Sequence, residues 1–238
     1  TQNTVKIELA EPEKKPFTLV AFGDIQDGIK HFSDVVSALN QETDPEFLLL
    51  LGDLTQTSTP SQFDAVRSAF DTIKIPTYLT PGNHDVIRDS YYQDNFGRAS
   101  YSFTYRGSRF TAVDSSSGTL DTKVWEWLES WLTLGKDQQH IVYSHIPAIE
   151  ATGIRSGQWS SRREAHHFAS RAADANVDLL LFGHLHSFKE LKIAGIQTYI
   201  SGGGGAIPET WDGINRHYLR ILLDPTTQAV TTTVVRVD

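Results

Sequence analysis

The sequence predicts an α/β protein in which two mixed β-sheets pack face to face with helices on the outside. Three observations carry that expectation. Apolar runs alternate with helical patterns over the first part of the chain, an order that favours parallel strands joined by crossover helices. A hairpin signal interrupts the alternation between Tyr101 and Val113. The last third then reads as strands with no helical pattern, and such an all-β end fits sheets packed on one another.

Each element has its own signal. Phe17 to Gly23 is a continuous apolar run, as a strand buried on both faces requires. Phe32, Val35, Val36 and Leu39 recur at i, i+3, i+4 and i+7 and make one apolar stripe on a helix. Phe47 to Leu51 is the next buried strand. Thr59-Pro60-Ser61-Gln62 reads as an N-cap, a proline at the first helical position and a capping-box glutamine, opening a helix through Phe63, Val66 and Phe70. A short apolar run from Thr77 to Thr80 ends at Pro81. Tyr101, Phe103 and Tyr105 alternate with polar residues, and Gly107-Ser108 leads into Phe110 to Val113.

A helix is expected from about Asp121, with Val124, Trp127, Leu128 and Trp131 facing inward and a stop at Gly135. Strand Ile141 to Ser144, a helix from Ser161 to about Asn176 opened by a Ser161/Glu164 capping box, and strand Asp178 to Phe182 continue the alternation. The closing strands are Phe188 to Ile193, Ile196 to Ser201, Tyr218 to Leu223 and Val230 to Val237, with turns at Ala194-Gly195 and Asp224-Pro225.

With 238 residues and no internal linker, the chain reads as one domain from 17 to 238 behind a polar arm at 1–16, with an edge strand at Val5 to Leu9. A formal charge of -8 and a pI near 5.5 argue against a broad nucleic-acid surface. No apolar run approaches the length of a membrane span. The chain has no cysteine, which excludes disulfides and thiolate chemistry. It also has no methionine, and a start at Thr1 without one favours an exported, periplasmic or secreted protein over a trimmed one.

The chemistry-bearing residues sit where apolar runs stop. Gly82-Asn83-His84-Asp85 places an amide oxygen, an imidazole and a carboxylate on one tight loop past a strand. Other runs end in Asp24, Asp53, His145 and His184, with His186 two residues later. Groups presented together at the carboxyl ends of strands in an α/β sheet are how ligand and metal sites are assembled.

Taken together, GDIQ at Gly23 to Gln26, GDL at Gly52 to Leu54, GNHD at Gly82 to Asp85, SHIP at Ser144 to Pro147 and GHLH at Gly183 to His186 resemble the calcineurin-like metallophosphoesterase family. The resemblance implies a four-layer αββα sandwich with a dinuclear metal site at the sheet edge. It implies that Asp53 bridges two ions, that Asp24, Gln26 and His186 complete the first site, and that Asn83, His145 and His184 complete the second. The ions would be divalent or mixed-valence Mn, Fe, Mg or Zn, which suits a set of carboxylate, amide and imidazole donors. A hydroxide held between them would attack the phosphorus of a diester or monoester of a small molecule or nucleotide.

In that pattern His84 faces the substrate, stabilising the phosphoryl group or protonating the leaving oxygen, with Asp85 orienting and charging the imidazole. Two residues depart from the family. Gln26 stands where histidine is usual, a weaker and harder ligand that favours Mn, Fe or Mg over Zn. Gln56 stands where purple acid phosphatases carry an iron-binding tyrosine. Asp27, beside Gln26, is an alternative ligand. The glycine run after Ser201 precedes no helix and is read as backbone passing beneath the metals, not as a phosphate loop.

Arg88, Arg155, Trp159 and Trp211 lie on loops after the motifs and are either substrate contacts or surface residues. His31, His140, His166 and His167 read as solvated or packing residues. Two alternatives to a small-molecule phosphoesterase stay open: a nuclease, and a non-catalytic scaffold that keeps the fold.

Overall fold

A computed structural model of the chain describes residues 13–87, 91–150, 152–153 and 157–237. The arm's expected edge strand at Val5 to Leu9 lies outside the described residues. Two mixed sheets face each other. In the first, β1 (Phe17–Phe22), β2 (Pro45–Leu50) and β3 (Thr77–Leu79) run parallel. Antiparallel β10 (His217–Asp224) and β11 (Ala229–Arg236) extend it beyond β1, so the strand order is β11-β10-β1-β2-β3.

In the second sheet β5 (Ser108–Ala112), β6 (Gln139–Tyr143), β7 (Leu179–Phe182) and β9 (Ile196–Ser201) are parallel. The antiparallel strands β4 (Tyr101–Tyr105) and β8 (Phe188–Ile193) form its edges. Helices α1 (Ile29–Leu39), α2 (Pro60–Phe70) and α3 (Tyr91–Phe96) cover the first sheet, and α4 (Thr122–Gly135) and α5 (Arg162–Asp174) the second.

Side-chain alternation explains why the strand runs are apolar throughout. Along β1, Leu19 and Ala21 enter the layer between the sheets, where they meet Leu49, Phe110, Ile141 and Leu219. Val20 and Phe22 point the other way, onto Phe32, Val36 and Phe63 of α1 and α2. A third layer places Val142, Leu180 and Phe182 under Leu128 and Phe168 of α4 and α5. Both faces of the central strands are dry, so their positions are mostly apolar and a buried polar residue such as Thr111 or His140 needs a hydrogen-bond partner.

The caps and turns follow the local sequence in part. Thr59 and Gln62 form the expected reciprocal capping box, with Pro60 opening α2. At α5, Ser161 Oγ accepts from the Glu164 N–H at 3.2 Å, but the box is not reciprocal. The Glu164 carboxylate instead accepts from the Leu120 N–H at 2.8 Å, Trp125 Nε1 at 2.9 Å and the Thr119 hydroxyl, joining α5 to α4.

In α4 the buried positions are Leu128 and Leu132, with Val124 and Trp125 packed on the same layer. Trp127 and Trp131 are half-buried and pair with each other at 6.1 Å, which corrects their expected inward placement. The β4–β5 turn is centred on Arg106-Gly107, with φ of 48° and 86°, one residue earlier than expected. The short α3 had no sequence signal, and it carries Tyr92 into the core.

Candidate metal centre at the carboxyl edge of both sheets

Parallel strands of both sheets end at one edge, and the motif residues follow those ends. Asp24 lies two residues past β1, Asp53 three past β2, Asn83 to Asp85 in a single 3-10 turn past β3, His145 past β6, and His184 and His186 past β7. The loops are tied to one another through the main chain. The Asp24 N–H donates to Gly52 O at 2.9 Å, and the N–H groups of Ile25 and Gln26 donate to Asp53 O at 2.8 and 3.1 Å.

Candidate ligands sit on strained backbone. Asp24, Gln26, Asp53 and His184 have φ of 70°, 49°, 55° and 72°, the left-handed region that non-glycine residues avoid. Four of the ten such non-glycine residues among those described are therefore candidate ligands, and strain concentrated in this way marks a functional constraint.

Their side chains converge. Ligand atoms of Asp53, His145 and His184 lie within 4.8 Å of one another, as do those of Asp24, Asp53 and His186, so Asp53 belongs to both groups. Nε2 of His145 is 3.2 Å from Asp53 Oδ1 and 3.3 Å from His184 Nδ1, and Nε2 of His186 is 3.5 Å from Asp24 Oδ1. Gln26 reaches the shared carboxylate, its Nε2 donating to Asp53 Oδ2 at 3.0 Å.

The tautomers are set by carbonyl acceptors. His145 Nδ1 is 2.7 Å from Leu51 O and His186 Nδ1 is 2.8 Å from Ile207 O. A carbonyl can only accept, so both Nδ1 atoms carry a proton and the Nε2 atoms are the ones turned toward the carboxylates.

The residues fit a pair of cations. Asp24 Oδ1 and Asn83 Oδ1 are buried without a hydrogen-bond partner, an arrangement that a coordinating ion relieves. Carboxylate, amide and imidazole without thiolate suit hard or borderline divalent metals. The charges are also interdependent. Burial pushes Asp24 up to about 6, against the pull of His145 and His186. Burial likewise works against ionised Asp53, but the neighbouring His145 imidazole and its hydrogen bond hold that carboxyl well below the usual range. His145 is buried too, yet Asp53 lifts it to about 9. Burial and the nearby His145 push His184 down to about 3, leaving its nitrogens as ligands.

His84 is positioned beside the ions' place without joining either ligand group. Its N–H donates to Asp53 Oδ1 at 2.9 Å and its Nδ1 lies 2.7 Å from Gln56 O, which leaves Nε2 as the ring nitrogen not tied to the Gln56 carbonyl. Asp85 does not orient it. The Asp85 carboxylate is buried and accepts from the N–H groups of Leu54, Thr55 and Gly82 and from Thr55 Oγ1, at 2.8–3.0 Å. Its expected pairing with the imidazole is thus corrected to a clamp between two loops. The reason is geometric: in a single 3-10 turn, adjacent side chains diverge by about a third of a revolution.

The other expected residues divide. Trp159 is buried among Trp125 and Phe168, with Nε1 donating to Ile146 O at 2.9 Å, so it packs the core and cannot meet a substrate. Trp211 is partly exposed with Lys189 Nζ 4.0 Å above its ring. Arg88 and Arg155 lie outside the described residues. Asp27 is exposed, accepts from Gln62 Nε2 at 3.3 Å, and belongs to neither ligand group. The sequence marked Gln56 only as a departure from the purple acid phosphatases and gave no sign that its carbonyl fixes His84 or that the Ala206-Ile207-Pro208 segment holds His186. The one available signal was an apolar triplet directly after a glycine run.

Known proteins resemble this chain in sequence and in fold. A 3',5'-cyclic-nucleotide phosphodiesterase of Nostoc is 27% identical over 157 residues, covering 61% of this chain and 58% of that protein. A glycerophosphodiester phosphodiesterase of Enterobacter lignolyticus is 27% identical over 132 residues, covering 49% and 48%. The chain therefore spans less than two thirds of the length of these relatives. A dimetal phosphatase from Danio rerio superposes with a TM-score of 0.70 at 12% identity, covering 93% of this chain and 99% of that one, a likeness of fold. The family model of the calcineurin-like phosphoesterases matches residues 17–188, and the chain belongs to that family.

Proposed function

We propose that the chain hydrolyses phosphoesters of small molecules, diesters in preference to monoesters, with two metal ions held by its strand-end residues. The observation that carries the reading is Asp53, one carboxylate common to two groups of potential ligands. Asp24, Gln26, Asp53 and His186 hold the first ion, and Asp53, Asn83, His145 and His184 the second. Mn, Fe or Mg suits the first site better than Zn because the Gln26 amide is a hard, neutral donor. When bound, the pair supplies Lewis-acid stabilisation of phosphoryl oxygens and an activated water.

The chain's own groups do the rest. Two carboxylates offset half of the charge of two divalent ions, which leaves a net positive centre for an anionic substrate in a protein of charge -8. His84, fixed through Nδ1 by Gln56 O, presents Nε2 and as imidazolium donates a proton to a phosphoryl or leaving oxygen. The diester preference is supported by the names of the relatives, which are phosphodiesterases.

The test is turnover of bis(p-nitrophenyl) phosphate against p-nitrophenyl phosphate, with Mn restored after chelation. Turnover of the diester that disappears in Asn83→Ala and His184→Ala is expected. A fully metallated protein inert toward both esters, and toward single-stranded and duplex DNA, contradicts the reading. Cleavage of DNA alone makes the protein a nuclease.

A further inference from the structure

A cavity of about 1060 Å3 opens directly beside the first ion site. Gln26, Gln56 and His186 form its metal-side wall, and Ala206, Ile207 and Pro208 an apolar wall. His31, Asn215 and Arg216 close the far end. Its volume is at the upper limit of ligand sites, which run to about 1000 Å3, and a glycerol-sized alcohol would leave most of it to water.

Its construction ties it to the chemistry. Gly28 and Gly205 form bare backbone in its lining, and a Cβ on Gly28 would collide with Gly205 O, so neither position admits a side chain that would fill the space. Ile207 O accepts from His186 Nδ1 at 2.8 Å, so the loop forming the apolar wall also orients a candidate ligand. Gln56, another lining residue, holds His84 through its carbonyl.

The chemical character is uneven in a useful way. Ile207 is 87% exposed, an apolar side chain held in water at the mouth of a site built for anions. At the opposite end Asn215 has φ of 57° and only its carbonyl is engaged, by His217 Nδ1 at 2.9 Å, so its side-chain amide is free to bond a ligand. Arg216 is held in place by Asp34 at 2.6 Å and His31 at 3.3 Å, its charge already offset. Asp27, whose carboxylate accepts from Gln62 Nε2 at 3.3 Å, also lines the cavity. An apolar wall with hydrogen-bonding groups and one carboxylate acceptor around it matches a flat heteroaromatic ring with a polar, donor-bearing edge, and the carboxylate disfavours a second phosphate.

We propose that this cavity is a specificity subsite for the alcohol half of the ester and takes a nucleoside, its ring against Ile207 and Pro208 and its polar edge on Asn215. The inference rests on the hydrolytic reading above. It separates nucleoside esters from glycerol esters, a choice that the metal centre alone does not make.

The test has a binding arm and a turnover arm. Calorimetric titration of metal-free protein with adenosine and with glycerol reads the subsite without catalysis. The ratio of kcat/KM for the p-nitrophenyl ester of adenosine 5'-phosphate to that for the p-nitrophenyl ester of glycerol phosphate reads it in the metallated enzyme. The variants are Ile207→Asp, at a solvent-facing position that folding does not need, and Asn215→Gly, which keeps the backbone carbonyl and suits a positive φ.

Adenosine should bind and glycerol should not, and each variant should lower adenosine affinity and the ester ratio by about tenfold. Hydrolysis of both esters with a ratio near unity, or adenosine binding unmoved by both variants, overturns the subsite and leaves the hydrolytic reading intact. Adenosine binding that the variants weaken, in a fully metallated protein that cleaves no ester, keeps the subsite and overturns the hydrolytic reading.

Discussion

Asp85 and Thr55 are joined by two hydrogen bonds, from the Thr55 N–H at 2.8 Å and from Thr55 Oγ1 at 3.0 Å to the same carboxylate oxygen. The other oxygen takes the Leu54 and Gly82 N–H groups. One buried side chain thus fastens the loop after β3 to the loop that carries Asp53. Asp85→Ala leaves three main-chain donors without their acceptor and should destabilise even metal-free protein by about 3 kcal/mol or more. Denaturant unfolding in the presence of chelator checks this. Unchanged stability with lowered activity would return Asp85 to a purely catalytic role.

Gly82 lies against the bridging residue so closely that a Cβ there would overlap the Asp53 carboxylate and main-chain nitrogen. Its φ of -103° is ordinary, so the requirement for glycine is one of space. Gly82→Ala should abolish the rise in melting temperature on adding Mn while leaving the far-UV spectrum native. Retained Mn stabilisation would show that the loops can separate without losing the site.

The His84 imidazole belongs to neither group of ligand atoms, while its main-chain N–H donates to the Asp53 carboxylate. His84→Ala should lower kcat by about 100-fold or more with metal content unchanged, because the N–H to Asp53 survives the substitution. Loss of metal in this variant would make the imidazole a ligand.

His140 on β6 is buried, with Nε2 2.8 Å from Thr111 Oγ1, and burial pushes its pKa down to about 3. The folded protein excludes the proton that the unfolded chain accepts below about pH 6.5. This group's contribution is therefore present above pH 6.5 and is lost as pH falls toward 3, at about 1.4 kcal/mol per pH unit once the unfolded histidine is charged. His140→Gln should flatten the stability profile between pH 6 and 4. A profile parallel to that of the parent would mean that His140 takes up its proton in the native state.

Much of the fold and of the centre was legible because both depend on short-range pattern. Buried parallel strands need largely apolar runs, and a carboxylate, amide or histidine in the loop that follows such a run is placed at the sheet edge. That is how Asp24, Asp53, Asn83, His145, His184 and His186 were found. Side-chain direction was less legible. Asp85 follows His84 directly, yet turns toward Thr55 because a tight turn separates neighbours. Trp159 sits among arginines in sequence but beside Phe168 in space, and only tertiary packing distinguishes those surroundings. Glu164 fits a capping box, but the three donors at Thr119, Leu120 and Trp125 outcompete the helix's own first N–H. The pairing of β10 with β1 joins residues about 200 positions apart, beyond any local signal.

The claim on which the rest stands is that Asp53 bridges two ions. Crystals grown with Mn, measured at the Mn absorption edge, locate each ion independently of the refined side chains. Two anomalous peaks about 3.5–4 Å apart, with the Asp53 carboxylate between them, are the expected result. A single peak, or two peaks that Asp53 does not join, contradicts the account.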